Sequence, residues 1–185
     1  MEDADHNIWV GNKSGDIQVY DPNKRFIGFL NSNGRLSRQA ENFDAVYALL
    51  QDKEGNIWIG TRNKGLIQLI PNGELNYRLK YYKNDPTDRF SLSCNSIFSL
   101  KEDEQGRIWI GTLGGGINYI DRDGRFIHPG NELPDYPTRF SRIKNICIDH
   151  QNNIWLATTS GILFCKWSNG KLAYTPIVRN CNEKN

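Results

Sequence analysis

Short apolar runs alternate with turn-forming residues along the whole chain, and one tryptophan-centred unit occurs four times. The units read DADHNIWVGNKSGDIQVYD, DKEGNIWIGTRNKGLIQLI, DEQGRIWIGTLGGGINYID and DHQNNIWLATTSGILFCKW, and they begin at Asp3, Asp52, Asp103 and Asp149. Their tryptophans, which lie 46 to 51 residues apart, are Trp9, Trp58, Trp109 and Trp155. A period of this length is the signature of a repeat architecture.

Each unit holds short runs with the alternation and the β-branched and aromatic content of strands. In the second copy they are VYALLQ at 46–51, IWIGT around the tryptophan, LIQLI at 66–70 and ELNYRLKYY, joined by turn sequences such as DKEGN and PNG. Four-stranded units in tandem predict the blades of a β-propeller. The predicted fold is therefore all-β, one propeller fragment over 1–185, with blades at about 6–30, 45–82, 96–128 and 145–178 and a tail at 179–185.

The columns of the repeat are interpreted as structural. Asp52, Asp103 and Asp149 are expected to cap turns by accepting hydrogen bonds from their own backbone; a ring of calcium ligands or catalytic carboxylates would require side chains that adjacent blades hold apart. Since every blade carries a tryptophan, these rings are expected to pack between blades rather than to stack on sugars. Gly60 and Gly111, two residues further on, share the strand face of the tryptophan and suit close approach by the next sheet.

The segment from Asp52 to Leu66, D-x-x-G-N-I-W-I-G-T-x-x-x-G-L, and its counterpart from Asp103 to Ile117 resemble the two-component regulator propeller repeat. The stretch before the third copy matches the S-L-x-x-N-x-I pattern that leads into such a blade, through Ser91, Leu92, Asn95 and Ile97. The outer copies depart from the pattern at Asn12, Asn152 and Ala157. The resemblance implies a sensor module, as in the periplasmic region of hybrid two-component histidine kinases, that responds to an oligosaccharide or related nutrient.

Composition narrows the function classes. The 23 basic and 21 acidic residues nearly cancel and form no long run of like charge, so partners of the nucleic-acid or membrane-surface class are not expected. No stretch approaches the ~18 apolar residues of a membrane helix, and the N-terminus MEDADHNIW is polar and acidic, unlike a signal peptide. The resemblance nevertheless implies a periplasmic location, as part of a membrane-anchored parent.

The cysteines show no metal-binding pattern. Cys94, Cys147, Cys165 and Cys181 form no CxxC pair and have no histidine partners at ligand spacing, so neither a metal nor another cofactor is expected. Cys147 and Cys165 lie in apolar, strand-like runs, where a free cysteine acts as a small core residue. This interpretation is favoured over a disulfide, which the sequence leaves open.

The four blades are expected to form an open arc rather than a closed propeller. The first blade enters at its second strand because few residues precede Ile8, and the last copy ends after KLAYTPIV. Three complete blades and most of a fourth would leave two exposed sheet faces. We therefore expect assembly with the rest of a propeller or with a second chain, which includes a homo-oligomer.

Candidate ligand-binding residues lie in the long segments at 31–44, 83–95 and 128–144 and in the short loops expected at the same end of the blades. Arginines and aromatic rings there would bind polar groups and stack on sugar rings. A small positive excess leaves the ligand's charge undecided. The candidates are Lys13, Arg62, Asn63, Lys64, Arg89, Phe90, Tyr136, Arg139 and Arg142.

No catalytic residue is predicted. A propeller glycan lyase or hydrolase would need a carboxylate pair, or a histidine with an acid, near the axis, and the axial runs offer chiefly Glu102 and Tyr47. A generic protein-docking propeller would use the same face as a sensor, and sequence separates the two poorly. The leading hypothesis is a non-catalytic ligand-sensing module.

Overall fold

The computed structural model describes residues 1–177, and within that range sixteen strands form four antiparallel sheets of four strands each. Blade 1 contains β1 (Ile8–Gly11), β2 (Ile17–Tyr20), β3 (Phe26–Leu30) and β4 (Leu36–Ser37). Blade 2 contains β5 (Val46–Gln51), β6 (Ile57–Thr61), β7 (Leu66–Pro71) and β8 (Tyr77–Tyr82). Blade 3 contains β9 (Ile97–Glu102), β10 (Ile108–Thr112), β11 (Ile117–Ile120) and β12 (Phe126–Ile127). Blade 4 contains β13 (Ile143–Ile148), β14 (Ile154–Thr158), β15 (Gly161–Ser168) and β16 (Lys171–Ile177).

The strands of each sheet follow chain order, and the axial strand β9 contacts the axial strands of both neighbouring blades, β5 and β13. The only described helical segment is one 3-10 turn at Thr138–Phe140. The predicted fold class, an all-β propeller in an open arc, is confirmed.

Blade boundaries differ from the prediction at two places. The sheet of blade 1 extends to β4, beyond residue 30, and the sheet of blade 4 begins at Ile143 rather than at 145. Residue 178 and the predicted tail at 179–185 lie outside the described residues. Blade 1 begins with β1, the equivalent of β6. On the axial side of β1, the described residues that pair with it are Met1 and Glu2, and Trp9 N donates to Met1 O over 2.8 Å.

The aspartate that opens each unit organises a tight turn and holds the tryptophan. Asp103 Oδ1 accepts hydrogen bonds from the backbone N–H groups of Gln105 and Arg107, both at 2.9 Å. Its Oδ2 accepts a hydrogen bond from Trp109 Nε1 at 2.8 Å. The same bond occurs in every blade, at 2.8 Å from Trp9 to Asp3, 2.7 Å from Trp58 to Asp52 and 2.9 Å from Trp155 to Asp149. The predicted capping role therefore explains only one oxygen of the repeated aspartate. The second oxygen holds the indole ring of the tryptophan.

The turn residue three positions after the aspartate adopts positive φ in all four copies. It is glycine in blades 2 and 3, where φ is 85° at Gly55 and 78° at Gly106. His6 and Asn152 take its place in the outer copies, at 63° and 60°. Asparagine tolerates this left-handed conformation better than most residues, which explains how the fourth copy keeps the turn without glycine.

The core consists of three apolar clusters, each containing residues of two adjacent blades. The face of each sheet that carries its tryptophan is called here the front face. In blades 1 to 3 the front-face tryptophan is buried, with exposures of 1% for Trp9, 4% for Trp58 and 0% for Trp109. Trp9, for example, packs edge-on against Tyr77 of blade 2 at 5.6 Å between ring centroids.

The glycine two residues after the tryptophan is required by the axial strand of the next blade. A Cβ atom at Gly60 would lie 2.6 Å from Ile97 Cγ2, and one at Gly111 would lie 2.7 Å from Ile143 Cγ2. Both distances are too short for real carbon contacts. The close approach anticipated from the sequence is thus made by the first residue of the following axial strand.

Blade 4 departs from two expectations because no described sheet covers its front face. Trp155 is half-buried against Phe164 of its own blade, at 4.7 Å between centroids, and does not pack between two blades. Cys147, expected in the core, is exposed, since it pairs with Trp155 on this same face. Cys165 points into the core and is buried as expected.

Candidate functional site

One end of the blades, where the axial strands begin and the second strands end, is called here the loop face. A threonine closes the turn after each of three second strands: Thr61, Thr112 and Thr158 donate side-chain hydrogen bonds of 2.7–2.8 Å to glycine carbonyls. The following backbone N–H donates to the carbonyl just before an axial strand, as in the 2.9 Å bond from Arg62 N to Ala45 O. The short turns therefore frame the starts of the axial strands.

Each of the three axial strands carries a β-bulge at its second residue. In blade 2, Val46 pairs with Thr61 and Ala48 pairs with Gly60, so that Tyr47 has no partner in the ladder. The same register shift leaves Phe98 unpaired in β9 and Lys144 unpaired in β13. A bulge redirects the side chain it carries, and bulges are frequent beside functional sites.

The three bulged side chains form one row across the loop face, called here the axial ladder. The rings of Tyr47 and Phe98 stack with centroids 4.4 Å apart and an interplanar angle of 15°. Lys144 Nζ lies 4.5 Å from the centroid of Phe98. Both rings are half-buried and Lys144 is exposed. Within the described part of the chain, Lys144 makes no ion pair, so its amine is available to a ligand.

The axial ladder was not predicted from the sequence, because its three residues differ in chemical type and so do not stand out as a repeated column. A tyrosine, a phenylalanine and a lysine occupy the second position of their axial strands. The detectable signal is positional: each follows the β-branched residue that packs on the glycine of the preceding blade. Aligning the axial runs by that residue would have brought the three together.

Five of the predicted ligand-binding residues are exposed on the loop face: Lys13, Arg62, Asn63, Lys64 and Arg142. Two of them also tie a short turn to the preceding long loop. Asn63 N donates to Asp44 Oδ2 at 2.6 Å, and Lys64 Nζ donates to Asn42 O at 3.1 Å. Their ligand-binding role stays a prediction.

Tyr136 is a core residue, which contradicts its predicted place on the binding surface. Its side chain is 4% exposed, its hydroxyl donates to Phe140 O at 2.9 Å, and burial raises its pKa above the usual value. The cause is the path of its loop, which fills the gap between blades 3 and 4 with Leu133 and Phe140. Arg139 stays exposed, with its guanidinium 4.7 Å from the Phe140 ring.

Arg89 and Phe90 lie away from the loop face, contrary to the expectation. The loop that carries them runs along the outer edge of blade 3, where Phe126 N donates to Phe90 O at 3.0 Å. Arg125, in the turn at the opposite end of the blade, has its guanidinium 5.0 Å from the Phe90 ring. The long loops thus serve largely as packing between and beside blades.

Glu102, the reactive residue considered for catalysis, lies at the opposite end of its axial strand. Its Oε2 accepts a hydrogen bond from Lys53 N at 3.0 Å, and burial raises its pKa. Gln51, at the equivalent position of blade 2, accepts the same kind of bond from Ala4 N at 2.6 Å. Because a glutamine performs this function in one blade, the contact between blades does not need a carboxylate.

Within residues 1–177, no three histidine, cysteine, aspartate or glutamate side chains gather as metal ligands would. In the same range, no helix is both long and apolar enough to cross a membrane.

Two segments, residues 41–63 and 91–114, match the family described as two component regulator propeller. Both include the end of a long loop, an axial strand, its bulge and the following tryptophan strand. These two segments are therefore similar to two-component regulator propeller repeats, the resemblance that the sequence predicted.

Three similar proteins place these repeats in context. The chain is 28% identical over 167 residues to histidine kinase P4 of Formosa agariphila, covering 89% of this chain and 12% of that protein. It superimposes with a TM-score of 0.72 and 24% identity on the extracellular domain of a hybrid two component system from B. thetaiotaomicron, covering 97% of this chain and 22% of that one. Virginiamycin B lyase from Staphylococcus aureus shares the fold, with a TM-score of 0.63, 17% identity, and coverage of 96% and 54%. The chain thus spans about an eighth of the kinase's length.

Proposed function

We propose that this chain is a non-catalytic ligand-sensing module of a two-component signal-transduction sensor, and that its ligand is an oligosaccharide or related nutrient. The observation that carries the proposal is the axial ladder, where three bulges direct two aromatic rings and one exposed amine to the same end of the axis. The family of the repeats supports the sensing role.

The ladder has the chemistry of a sugar-binding surface. Aromatic rings offer apolar faces and edges to the C–H groups of a sugar ring, and an ammonium donates hydrogen bonds to hydroxyl or carboxylate oxygens. The stacking of Tyr47 on Phe98 fixes both rings before a ligand arrives, which reduces the entropy lost on binding. A few polar groups beside fixed aromatic rings are the usual composition of a small-molecule site.

The parent protein is proposed to be a membrane-anchored histidine kinase with this module in the periplasm. Support comes from the similarity to a histidine kinase and to extracellular domains of two-component systems. In this arrangement the kinase chemistry belongs to other parts of the parent. The propeller supplies a ligand-dependent contact that the parent transmits.

Isothermal titration calorimetry against a panel of neutral and acidic oligosaccharides tests the proposal. We expect Tyr47→Leu and Lys144→Gln each to weaken binding roughly tenfold, the effect of losing one good contact in a preformed site. Lys80→Gln is the matched control, because Lys80 is also exposed and lies 4.7 Å from an aromatic ring, that of Tyr82, on the outermost strand of blade 2. Binding that is equally sensitive to Lys80→Gln, or no binding by the folded chain to any member of the panel, would contradict it.

The same samples test the enzyme alternative. Each oligosaccharide is incubated with the chain and the products are analysed by chromatography. We expect no turnover, and we expect Glu102→Gln to retain the fold because Gln51 makes the equivalent contact in blade 2. Steady turnover that Glu102→Gln abolishes would replace the sensor proposal by a lyase or hydrolase.

A further inference from the structure

A cavity of about 260 Å³ lies on the outer rim between blades 3 and 4, and its lining shares no residue with the axial ladder. The two outermost strands of blade 4 and the loop that fills the gap between blades 3 and 4 form most of its wall. Its apolar lining includes the side chains of Tyr119, Leu133, Pro134, Trp167, Leu172 and Tyr174.

Two polar atoms in this wall are buried without a hydrogen-bond partner among the described residues. They are the indole Nε1 of Trp167 and the hydroxyl of Tyr174. A buried donor without a partner costs about 1–3 kcal/mol, so native structures contain few of them. The two residues that carry these atoms both line the same cavity.

Packing holds the two aromatic rings in place independently of those atoms. The guanidinium of Arg107 lies 4.6 Å from the Trp167 ring, and Tyr119 meets the same ring edge-on at 6.1 Å. Tyr136 meets Tyr174 edge-on at 5.3 Å. These ring contacts leave both polar atoms without a hydrogen-bond partner.

The charged groups of the wall disfavour an anionic ligand. Glu132 and Asp135 provide carboxylate acceptors, while Lys171 provides one cation, so that an anionic ligand would meet a net negative wall. Burial raises the pKa of Tyr174, which keeps its hydroxyl protonated and able to donate. The wall thus combines two donors, two carboxylates and flat apolar rings.

We propose that this cavity binds one ring of a neutral saccharide. The C–H groups of the sugar lie against the rings of Trp167 and Tyr174, its oxygens accept from their N–H and O–H groups, and its hydroxyls donate to the carboxylates. Because both donors are covered, binding requires the two rings to turn toward the cavity. A proline-rich peptide also stacks on such rings and accepts from an indole, but it has few N–H groups to offer two carboxylates. The site goes beyond the sensing role of the axial ladder and does not depend on it.

Nuclear magnetic resonance of the indole N–H groups tests the proposal on the 185-residue chain. Glucose, galactose, mannose, glucuronic acid and a proline-rich peptide are titrated separately, and Trp167→Phe assigns the signal. We expect a neutral sugar to shift the Trp167 indole signal in a saturable manner while the other indoles, which are bonded to aspartates, stay in place. Tyr174→Phe should weaken that binding roughly tenfold, whereas Tyr81→Phe, which removes an exposed hydroxyl, should leave it unchanged.

Three results would overturn the inference. One is a Trp167 signal that no neutral sugar moves in a chain whose spectrum shows the folded state. Another is equal or tighter binding of glucuronic acid or of the peptide. The third is binding that Tyr174→Phe leaves unchanged. Retention of the shift in Tyr47→Leu would show that the rim site is independent of the ladder, so the two proposals can fail separately.

Discussion

The front faces of blades 3 and 4 carry the same columns of the repeat in different surroundings. On blade 3, Trp109 and Ile117 are completely buried beneath blade 4. On blade 4, the equivalent Trp155 is half-buried and Ile162 is 44% exposed. The two sheets have the same strand order and the same aspartate–tryptophan bond, so the difference lies in the neighbour and not in the blade.

This comparison separates the residues that build a blade from those that join two blades. The aspartate and the turn residue at positive φ are kept in both copies because they act within one sheet. The small-residue column is glycine where Ile143 presses on it and alanine, Ala157, where no described strand does. We propose that the rest of a propeller or a second chain completes the front face of blade 4 in the parent protein, where its axial strand would approach Ala157. In the 185-residue chain alone, this face is expected to be open.

The largest expected difference between the two faces comes from removing the tryptophans. Trp109→Ala should lower the free energy of unfolding by about 3–5 kcal/mol, since it empties a fully buried site between blades. Trp155→Ala should cost about 1 kcal/mol, because that ring is partly in water already. Urea unfolding followed by circular dichroism measures both. Equal losses would mean that the fourth front face is covered in solution.

The next contrast between the two blades comes from enlarging the small residue two positions after the tryptophan. Gly111→Ala should cost about 1–3 kcal/mol by overpacking, since the new Cβ would lie 2.7 Å from Ile143 Cγ2. Ala157→Val, on the exposed face, should change stability by less than about 0.5 kcal/mol. The same urea titrations apply. A larger loss in Ala157→Val would contradict the assignment of the glycine column to the contact between blades.

The pH dependence of stability tests the aspartate–tryptophan hydrogen bond, which blades 3 and 4 share. Hydrogen bonds from Trp155 and from Asn153 hold the pKa of Asp149 well below its usual value of 3.8. A carboxyl group whose pKa is lowered by folding stabilises the folded state above pH 3.8, and this contribution disappears as the pH falls through the lower, folded value.

Asp149→Asn should therefore be less stable than the parent chain near neutral pH, and the gap between them should narrow from about pH 4 downward. Urea midpoints measured from about pH 2 to pH 7 check this expectation. Glu74→Gln, at an exposed position, serves as the control. A gap that stays constant over the whole range would show that the charge of Asp149 does not contribute.

The repeat was predictable because its columns are governed by local chemistry. Each turn needs an aspartate and a residue that accepts positive φ. A strand that lies under another sheet needs a small residue. These requirements therefore appear in the sequence as particular residue types at fixed spacing. The link between the aspartate and the indole was present as a constant spacing of six residues, yet spacing alone does not name the bond. The exposure of Trp155 and Cys147 was not predictable, because burial depends on a neighbouring sheet that the repeat itself does not encode.

The candidate site was harder to predict than the fold. Tyr136 and Phe90 belong to long loops, and such loops are assumed to be open surfaces, whereas here their aromatic rings pack against the blades. Tyr47, Phe98 and Lys144 became neighbours through a register shift in three strands, which depends on the sheet and leaves no mark in composition. Side chains brought together from positions about 50 residues apart need the topology before their chemistry can be judged.

The smallest expected effect concerns the reactivity of two cysteines of blade 4, one on its front face and one in the core. Measuring this reactivity changes no packing. Cys147 lies exposed on the open front face, whereas Cys165 is 1% exposed in the core and burial raises its pKa to about 12. In a chain with Cys94→Ser and Cys181→Ser, Cys147 should react with a thiol reagent at least about tenfold faster than Cys165, because reaction requires an accessible thiolate. Mass spectrometry of the labelled peptides measures the two rates. A slow Cys147 that becomes fast on dilution would show that a second copy covers the front face of blade 4, and one that stays slow at every concentration would show that the fourth front face is closed within the chain.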